Sequence, residues 1–352
     1  MSLTHLNIHD VRNISIATLS LHPRYNVFYG GNGSGKTSVL ETIYLLGTGR
    51  SFCSSDVSSL VRHGEVALTV FARTTNEDSI SIQKALTQPS HVKLNQRTCQ
   101  RSSELAQFLP CQAFYQNIFH IIDEGPSVRR SLLDWGLFHV KQSYLGLWKD
   151  YRRVIKQRNA LLRQKAKPHQ FLPWDKMLID LAFELDEMRA AYFIEWSESF
   201  QNLLSKLTDT PCGIRYYKGW DKKGSGKALS DLLIEQFDSD LHAQYTHSGP
   251  HQADILFDTS SSKAKHSLSR GQQKIILIAL KLAQAQLLSG ECIYLFDDIA
   301  AELDTNHLNR FTDCINQIKG QFFLTAIDPS HFQSAFPISE MSLFSINNGC
   351  FT

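Results

Sequence analysis

Runs of alternating or continuous apolar residues dominate the first 115 residues and predict β-strands. The segments LNIHDV, VFYG, VALTVFA and SISIQKAL show this pattern between Gly, Asn and Pro turns. One stretch, KTSVLETIYLLG, has helical spacing instead, with Val39, Leu40, Ile43 and Leu46 on one face and Gly47 as its cap. The N-terminal third is therefore predicted to be a β-rich region interrupted by one helix.

Long stretches with helical spacing of apolar residues follow between about Pro126 and Leu241. The segment KAKPHQFLPW contains two prolines and predicts a turn between two of these helices. After a predicted loop, strand and helix patterns alternate from DILFD through CIYLF to QFFLTAI. We therefore predict an α/β fold in which both chain ends, residues 1–120 and 244–352, form a head. A helical arm, residues 121–243, is inserted between them.

Composition restricts the class of protein. Of the 352 residues, 42% are hydrophobic and 20% are charged, as in ordinary globular proteins, and no apolar run approaches the length of a membrane span. The first residues, MSLTHLNIHD, lack the pattern of a secretion signal, and the seven cysteines are dispersed without a CxxC pair. We expect a cytoplasmic protein with no membrane partner. The net charge of +2 is too small to indicate nucleic-acid binding by itself.

The segment GGNGSGKT, residues 30–37, matches the phosphate-loop pattern GxxxxGK(S/T) between a predicted strand and a predicted helix. Glycines let backbone N–H groups approach a phosphate, Lys36 reaches the β- and γ-phosphates and also serves catalysis, and the Thr37 hydroxyl binds Mg²⁺. The motif therefore predicts ATP and Mg²⁺ as cofactors. The predicted nucleotide-binding residues here are Gly30, Gly31, Asn32, Gly33, Ser34, Gly35, Lys36, Thr37 and Ser38.

A second candidate is IYLFDD, a buried strand that ends in two acids, Asp297 and Asp298. Adjacent carboxylates at the end of an apolar strand are costly unless a cation lies nearby. We predict that Asp297 is a magnesium ligand and that Asp298 is the general base that polarises water. The alternative is a strand that simply ends at a solvated turn. The presence of a phosphate loop in the same chain argues against this alternative.

The segment LSRGQ, residues 268–272, opens a long predicted helix. Free N–H groups at a helix N-terminus attract anions, and Ser269, Gly271 and Gln272 would present donors with little bulk. The alternative is an ordinary serine N-cap. The segment AELD, which ends at Asp304, follows the acidic strand.

Taken in order, the phosphate loop, LSRGQ, LFDD and AELD resemble the ABC ATPases, with LSRGQ as the signature motif and Asp304 in the D-loop. YLLGTGRSF, GPSVRRSLLDWGLFH, KQRNALLRQ and SGPHQADI are similar to stretches of the RecF family of bacterial recombination mediators, and this resemblance spans nearly the whole chain. It implies ATP-dependent binding of single- and double-stranded DNA at gap junctions in repair and replication restart. It also implies slow ATP hydrolysis, an ATP-dependent homodimer, and the partners RecR and RecO.

Some positions depart from the family pattern. Cys53 and Gln252 stand where arginines are usual, so both are left out of the predicted binding set. Gln116 is followed by Asn117 where Pro-Glu is usual. Whether Gln116 is the Q-loop ligand that binds nucleotide and Mg²⁺ stays open. The ABC switch histidine is also missing, since the chain reads TAID at residues 325–328.

The arm contains the best nucleic-acid candidate. Eight basic residues and one acid, Asp150, lie between Lys149 and Lys167, while an apolar stripe is predicted to face the partner helix. The predicted DNA-phosphate contacts are Arg152, Lys156, Arg163 and Lys167. The alternative is a solvated helix face. Trp148, like the other arm tryptophans, is predicted to belong to the core.

Two other functional classes compete with a DNA-binding ATPase. The nucleotide-binding subunit of a transporter would need a surface for a membrane partner and usually has a switch histidine. A chromosome-condensing SMC protein would need hundreds of heptad residues between the two halves of the head. The predicted arm is too short for the second class.

Overall fold

The computed structural model describes residues 1–54, 56–222, 224–258 and 268–352. The chain divides into two compact units. The head unit contains residues 1–118, 203–208 and 288–352, and the arm unit contains residues 119–202 and 209–287. Both chain ends therefore belong to the head unit. The domain limits proposed from the sequence stay predictions, and the arm unit extends to residue 287, past the LSRGQ segment.

The strands are β1 (Leu3–Val11), β2 (Ile14–Ser20), β3 (Tyr25–Tyr29), β4 (Ala67–Thr74), β5 (Ser79–Ala85), β6 (His91–Leu94), β7 (Arg97–Thr98), β8 (Cys111–Phe114), β9 (Gly213–Tyr217), β10 (Asp254–Asp258), β11 (Ile293–Phe296), β12 (Gln321–Ala326), β13 (Met341–Asn347) and β14 (Cys350–Phe351). The helices are α1 (Lys36–Thr48), α2 (Ser102–Phe108), α3 (His120–Asp123), α4 (Pro126–Val140), α5 (Tyr144–Arg163), α6 (Leu172–Leu207), α7 (Leu229–Glu235), α8 (Phe237–Ala243), α9 (Arg270–Gln286), α10 (Ile299–Glu302), α11 (Thr305–Asn316) and α12 (Ser330–Ala335).

One sheet of the head unit has the strand order β14-β13-β3-β12-β11-β8. Strands β13, β3, β12, β11 and β8 pair in parallel. Every residue of β11 and β12 is buried. Strands of a parallel sheet are covered on both faces, which explains their nearly continuous apolar sequences. Because the strands are parallel, the carboxyl ends of β3, β12 and β11 lie at the same edge of the sheet, where ligands of α/β proteins bind.

The second sheet of the head unit is antiparallel, in the order β2-β1-β4-β5-β6-β7. Strand β2, which follows β1 after a two-residue turn, was not predicted. Its sequence ISIATLS alternates buried and exposed residues, and the exposed ones include Ile16, so the apolar pattern is blurred. Strand β8 was missed because its four residues are too few for a period to be recognised. Strand β13 was also missed, because its sequence MSLFSIN shows no clear alternation of buried and exposed residues.

Helix α1 buries Val39, Leu40, Ile43 and Leu46, as predicted, but it ends later than predicted. Gly47 lies inside the helix, where a Cβ atom would come within 2.7 Å of the Leu109 carbonyl oxygen. The left-handed residue that ends the helix is Gly49, with φ 70°. Gly47 is therefore a close-packing position, and its prediction as a cap was wrong.

The arm unit is mainly helical, as predicted. Residues 141–143 separate α4 from α5, and a 3₁₀ turn, Pro168–Gln170, separates α5 from α6 within the proline-containing segment. Strands β9 and β10 form an antiparallel pair. Helix α5 buries its apolar stripe, which includes Tyr151, Val154, Ile155 and Leu162.

One of the eight basic residues around α5 is not exposed. Arg158 is fully buried and donates from Nε to Asp175 of α6 at 2.7 Å. Its Nη1 atom donates to Asp240 of α8 and to Thr246, both at 2.7 Å. A buried guanidinium is tolerated because two carboxylates match its charge in this way. Within the described ranges, its Nη2 atom has no hydrogen-bond partner. Arg158 thus connects three helices of the arm unit and is not available to a ligand.

We expect Arg158→Met to lower the free energy of unfolding by about 3–5 kcal/mol, because it leaves the buried Asp240 carboxylate without its cation. Urea unfolding followed by circular dichroism measures this change. The exposed Arg163 on the same helix provides the matched control, and Arg163→Met should change stability by no more than about 0.5 kcal/mol. Equal effects of the two substitutions would contradict the structural role of Arg158.

Candidate nucleotide-binding site and basic groove

The phosphate loop connects β3 to α1 and depends on glycine at two points. Gly35, the N-cap of α1, has φ 118°, which disfavours residues with a side chain. A Cβ atom on Gly30 would lie 2.2 Å from the carbonyl oxygen of Ile346 in β13, so no larger residue fits there. The loop is thereby packed against the sheet with its free N–H groups at the N-terminus of α1.

Side chains support the loop from two directions. The Lys36 Nζ atom donates to the carbonyl oxygens of Gly30 and Gly31 at 2.9 and 3.1 Å. The Asn13 amide donates to the carbonyl oxygens of Gly33 and Ser34 at 3.2 and 3.0 Å. These contacts fix the lysine ammonium group beside the loop, where it would meet an anion.

Asp297 follows β11 and lies beside Thr37, although 260 residues separate them in the sequence. The Thr37 hydroxyl donates to both carboxylate oxygens of Asp297 at 3.0 Å. Thr325, on β12, donates to Oδ1 of Asp297 at 2.9 Å. Burial raises the pKa of the Asp297 carboxyl, and the hydrogen bonds from Thr325 and Thr37 oppose that rise. The two predicted magnesium ligands are therefore in direct contact.

Asp298 has a left-handed backbone, with φ 49°, and lies at the N-cap of α10. Its N–H donates to the Thr325 hydroxyl at 2.7 Å. Its side chain contributes to the wall of the same cavity as the phosphate loop. Among the described residues, no group hydrogen-bonds to its buried Oδ1 atom. This carboxylate oxygen is thus placed to act on a ligand or on water.

The cavity has a volume of about 450 Å³, within the usual range for small-molecule sites. It is lined by Arg12, Asn13, Asn32, Gly33, Ser34, Gly35, Lys36, Thr37, Ser38, Glu41, Cys53 and Asp298. Hydroxyl and carboxylate oxygens suit Mg²⁺, and a lysine with helix N-terminal N–H groups suits phosphates. The residues present fit a polyphosphate with bound magnesium.

Four lining residues were not predicted from the sequence: Arg12, Asn13, Glu41 and Cys53. Arg12 and Asn13 form the turn between β1 and β2, and no local pattern places that turn beside the phosphate loop. Arg12 pairs with the buried Glu41 of α1, with 2.6 Å between Nε and Oε2. Glu41 could have been identified from the sequence, because it is a charged residue within an otherwise apolar helix. Cys53 was left out of the predicted binding set because it is uncharged, but in the structure it lies in the cavity wall.

Five predicted ligands of the head unit are not part of this lining. Gly30, Gly31 and Asp297 nevertheless contact residues that are, through Lys36 and Thr37, whereas Gln116 and Asp304 are placed as follows. Gln116 is exposed and begins a 3₁₀ turn two residues after β8, the neighbour of β11. Asp304 caps α11 by accepting from the His307 N–H at 2.9 Å. Hydrogen bonds from the His307 backbone and side chain lower the pKa of Asp304. The nucleotide contacts of Gln116 and Asp304 stay predictions.

In the arm unit, the predicted signature begins α9. Ser269 accepts from the Gln272 N–H at 3.3 Å, and the Gln272 side chain accepts from the Ser269 N–H at 2.9 Å. This is a capping box, so the ordinary structural role of Ser269 is present. Gly271 is exposed, and a Cβ atom there would meet nothing within 4 Å in the described part of the chain. Contact of this segment with a nucleotide stays a prediction.

A second cavity, which we call the basic groove, lies along α5 and has a volume of about 530 Å³. It is lined by Trp148, Lys149, Arg152, Arg153, Ile155, Lys156, Asn159 and Arg163. Three of the four predicted DNA contacts are among these residues, whereas the exposed Lys167 is not. Trp148 was predicted to be core but is only half-buried, and the Arg152 guanidinium lies 4.7 Å from its ring centre.

Comparison with known proteins identifies the family. The family model described as "RecF/RecN/SMC N terminal domain" matches residues 2–351. A DNA replication and repair protein RecF from Pseudomonas syringae pathovar syringae is 34% identical over 363 residues, which cover 100% of this chain and 98% of the relative. The chain belongs to the RecF family.

A second RecF protein agrees with this, and solved structures match the fold. RecF from Escherichia coli is 36% identical over 342 residues, or 94% of each chain. A solved structure described as "the recombination mediator protein RecF-ATP in RecFOR pathway" has a TM-score of 0.81 at 24% identity and covers 100% of this chain and 97% of its own. An SMC head bound to the C-winged helix domain of ScpA has a TM-score of 0.63 at 17% identity, with 100% and 96% covered. The predicted ATPase-head fold is confirmed.

None of the helices in the described ranges has the length and apolarity needed to cross a membrane.

Proposed function

We propose that this RecF-family chain is an ATP-dependent DNA-binding mediator that acts at single-strand gaps in repair and replication restart. The observation that carries the proposal is the contact between Thr37 and Asp297 beside the phosphate-loop cavity. Relatives that match the whole chain are DNA replication and repair proteins, which supports this class over a transporter subunit.

The residues of the cavity divide into three tasks. Lys36 and the loop N–H groups bind the phosphates, and Thr37 and Asp297 hold Mg²⁺, which would neutralise phosphate charge. Asp298 orients water and accepts its proton. An aspartate is one methylene shorter than the glutamate common at the ABC base position, so Asp298 holds water less closely. We therefore propose that ATP hydrolysis is slow.

We expect Asp298→Asn to retain ATP binding but to lose hydrolysis, because the amide cannot accept the proton. Lys36→Ala should instead lose nucleotide affinity, since the ammonium group contacts the phosphates in the ground state. Equilibrium binding of a fluorescent ATP analogue, measured beside turnover, separates the two effects. If Asp298→Asn lost binding as severely as Lys36→Ala, the assigned roles would be wrong.

The basic groove supports DNA contact. Lys149, Arg152, Arg153, Lys156 and Arg163 line it, and Arg153 pairs with Asp150 at 3.5 Å. Cations grouped in this way bind the phosphate backbone with little dependence on sequence. The half-buried Trp148 offers an aromatic face beside them, as in sites for single strands.

Replacing Arg152, Lys156 and Arg163 by alanine should weaken DNA binding and flatten its salt dependence. Each lost phosphate contact reduces the log–log slope by about one unit. Binding to a gapped duplex, titrated at several salt concentrations, measures this slope. The matched control replaces Lys141, Lys176 and Lys222, exposed cations outside the groove, and removes the same charge. Equal slopes for the two triple variants would show that the groove is an ordinary solvated surface with no special role in DNA binding.

We also propose an ATP-dependent homodimer that works with RecO and RecR. In the ABC arrangement, Ser269 and Gly271 of one subunit close over ATP held by Lys36 of the other. Two nucleotides would then join a two-fold symmetric pair. Dimerisation would rise with ATP concentration, because the dimer binds ATP better than the monomer does. The description of the RecF-ATP neighbour, which names the RecFOR pathway, supports the two partners.

Mixing two inactive variants tests this arrangement. Lys36→Ala and Ser269→Arg each break both sites of a homodimer, but a mixed dimer contains one intact site. About half of randomly mixed dimers are mixed, so about a quarter of wild-type ATPase activity should return.

The control mixture combines Lys36→Ala with Asp298→Asn. In the proposed dimer, Lys36 and Asp298 of each site come from the same subunit. Each site of this mixed dimer therefore contains one of the two substitutions, and no activity should return. Sedimentation confirms that mixed dimers form. A chain that stays monomeric with ATP would overturn the proposed assembly.

A further inference from the structure

The hydroxyl of Thr325 connects the two acids at the end of β11. Thr325 lies on β12 and is fully buried. Its Oγ1 atom donates to Oδ1 of Asp297 at 2.9 Å and accepts from the N–H of Asp298 at 2.7 Å. A threonine hydroxyl has one donor and two acceptor positions, and here it both donates and accepts. We infer that Thr325 is a positioning residue that sets the metal ligand and the general base together, an inference that rests on the proposed ATPase function.

The first contact orients Asp297. This carboxylate accepts from Thr37 on one side and from Thr325 on the other. Its own N–H donates to the Phe114 carbonyl of β8 at 2.9 Å. The backbone is therefore held by β8 and the side chain by β12. Partners that orient a metal ligand in this way commonly change metal affinity or activity 10- to 100-fold when they are removed.

The second contact fixes the turn at Asp298. A non-glycine residue with φ 49° is uncommon and persists where the surrounding contacts hold it. The Thr325 hydroxyl supplies one such contact at the point where the chain leaves β11 and enters α10. This turn brings the Asp298 side chain to the cavity wall beside Lys36 and Thr37. Without the hydroxyl, the Asp298 N–H loses its hydrogen-bond partner. The Asp298 carboxylate then loses its fixed direction.

The test removes the hydroxyl group of Thr325 and keeps the shape of its side chain. Thr325→Val is isosteric but lacks the donor and the acceptor, and Thr325→Ser restores both. Thr312→Val provides the matched control, because Thr312 is also buried in the head unit and donates to the Asn309 carbonyl, away from the acids. Thr325→Ala is measured alongside, since it removes the hydroxyl without placing a methyl group against the carboxylate.

Two quantities are measured on each folded variant: affinity for a fluorescent ATP analogue with and without Mg²⁺, and the turnover of ATP. For Thr325→Val and Thr325→Ala, we expect the Mg²⁺-dependent gain in affinity and the turnover each to fall by about tenfold or more. Affinity without Mg²⁺ should not change, because Lys36 and the loop are untouched. Thr325→Ser should stay within about threefold of wild type, and Thr312→Val should match wild type.

Three outcomes would overturn the inference. These are Thr325→Val and Thr325→Ala behaving like Thr312→Val, Thr325→Ser failing to rescue, or an equal loss of affinity with and without Mg²⁺. The last two would show a packing role instead of a positioning one. A wild-type chain without ATP affinity would overturn the proposed function and this inference together. A wild-type chain that binds and hydrolyses ATP while the Thr325 variants show no specific loss would overturn the inference alone.

Discussion

The partly buried carboxylate of Asp297 is the constraint on which the rest of the head depends. It accepts hydrogen bonds from Thr37, in the first turn of α1, and from Thr325, near the end of β12. Burial of a carboxylate is costly without such donors. The contacts are available only if β3, β12 and β11 are neighbours in one parallel sheet, which requires both chain ends to fold together. The discontinuous head and the candidate site are therefore consequences of the same interaction.

The arm unit uses buried charge differently. Arg189 donates to the Pro250 carbonyl and to Asp134, each at 2.7 Å, and Arg129 pairs with Asp254 at 2.7 Å. These bonds connect α4 and α6 to the segment SGPHQADI. Two of the sequence stretches that resemble the RecF family thus contact each other inside the arm unit. Arg158 and Arg189 of this unit are buried and hold its helices, whereas Arg152, Arg153 and Arg163 line the basic groove, a difference that charge counting alone does not show.

Local patterns predicted much of this structure. The phosphate loop and the acidic strand were predictable because each has a chemical requirement that limits the residue types at fixed spacing. The arm helices were predictable because their apolar stripes are long. Strand β2, the turn at Arg12 and Asn13, and the end of α1 at Gly49 were not, because tertiary contacts decide them. Gly47, for example, has the local appearance of a cap, yet the packing of Leu109 explains it better.

The same distinction applies to Thr325 and Arg158. Nothing in the sequence TAID marks the threonine as a partner of both acids, and nothing in the basic run of α5 marks one arginine as buried. Each role appears only when distant segments are brought together. Sequence motifs therefore predicted the ligands of the chain, whereas the structure shows which side chains hold those motifs in place.

Calorimetric titration of the wild-type chain and of Asp297→Ala with ATP, each with and without Mg²⁺, tests the central claim most directly. We expect one site per wild-type chain, with an affinity that Mg²⁺ increases. Asp297→Ala should retain metal-free binding but lose the magnesium effect. A wild-type affinity that is the same with and without Mg²⁺, or a magnesium effect that survives in Asp297→Ala, would contradict the assignment of this sheet edge as the magnesium–nucleotide site.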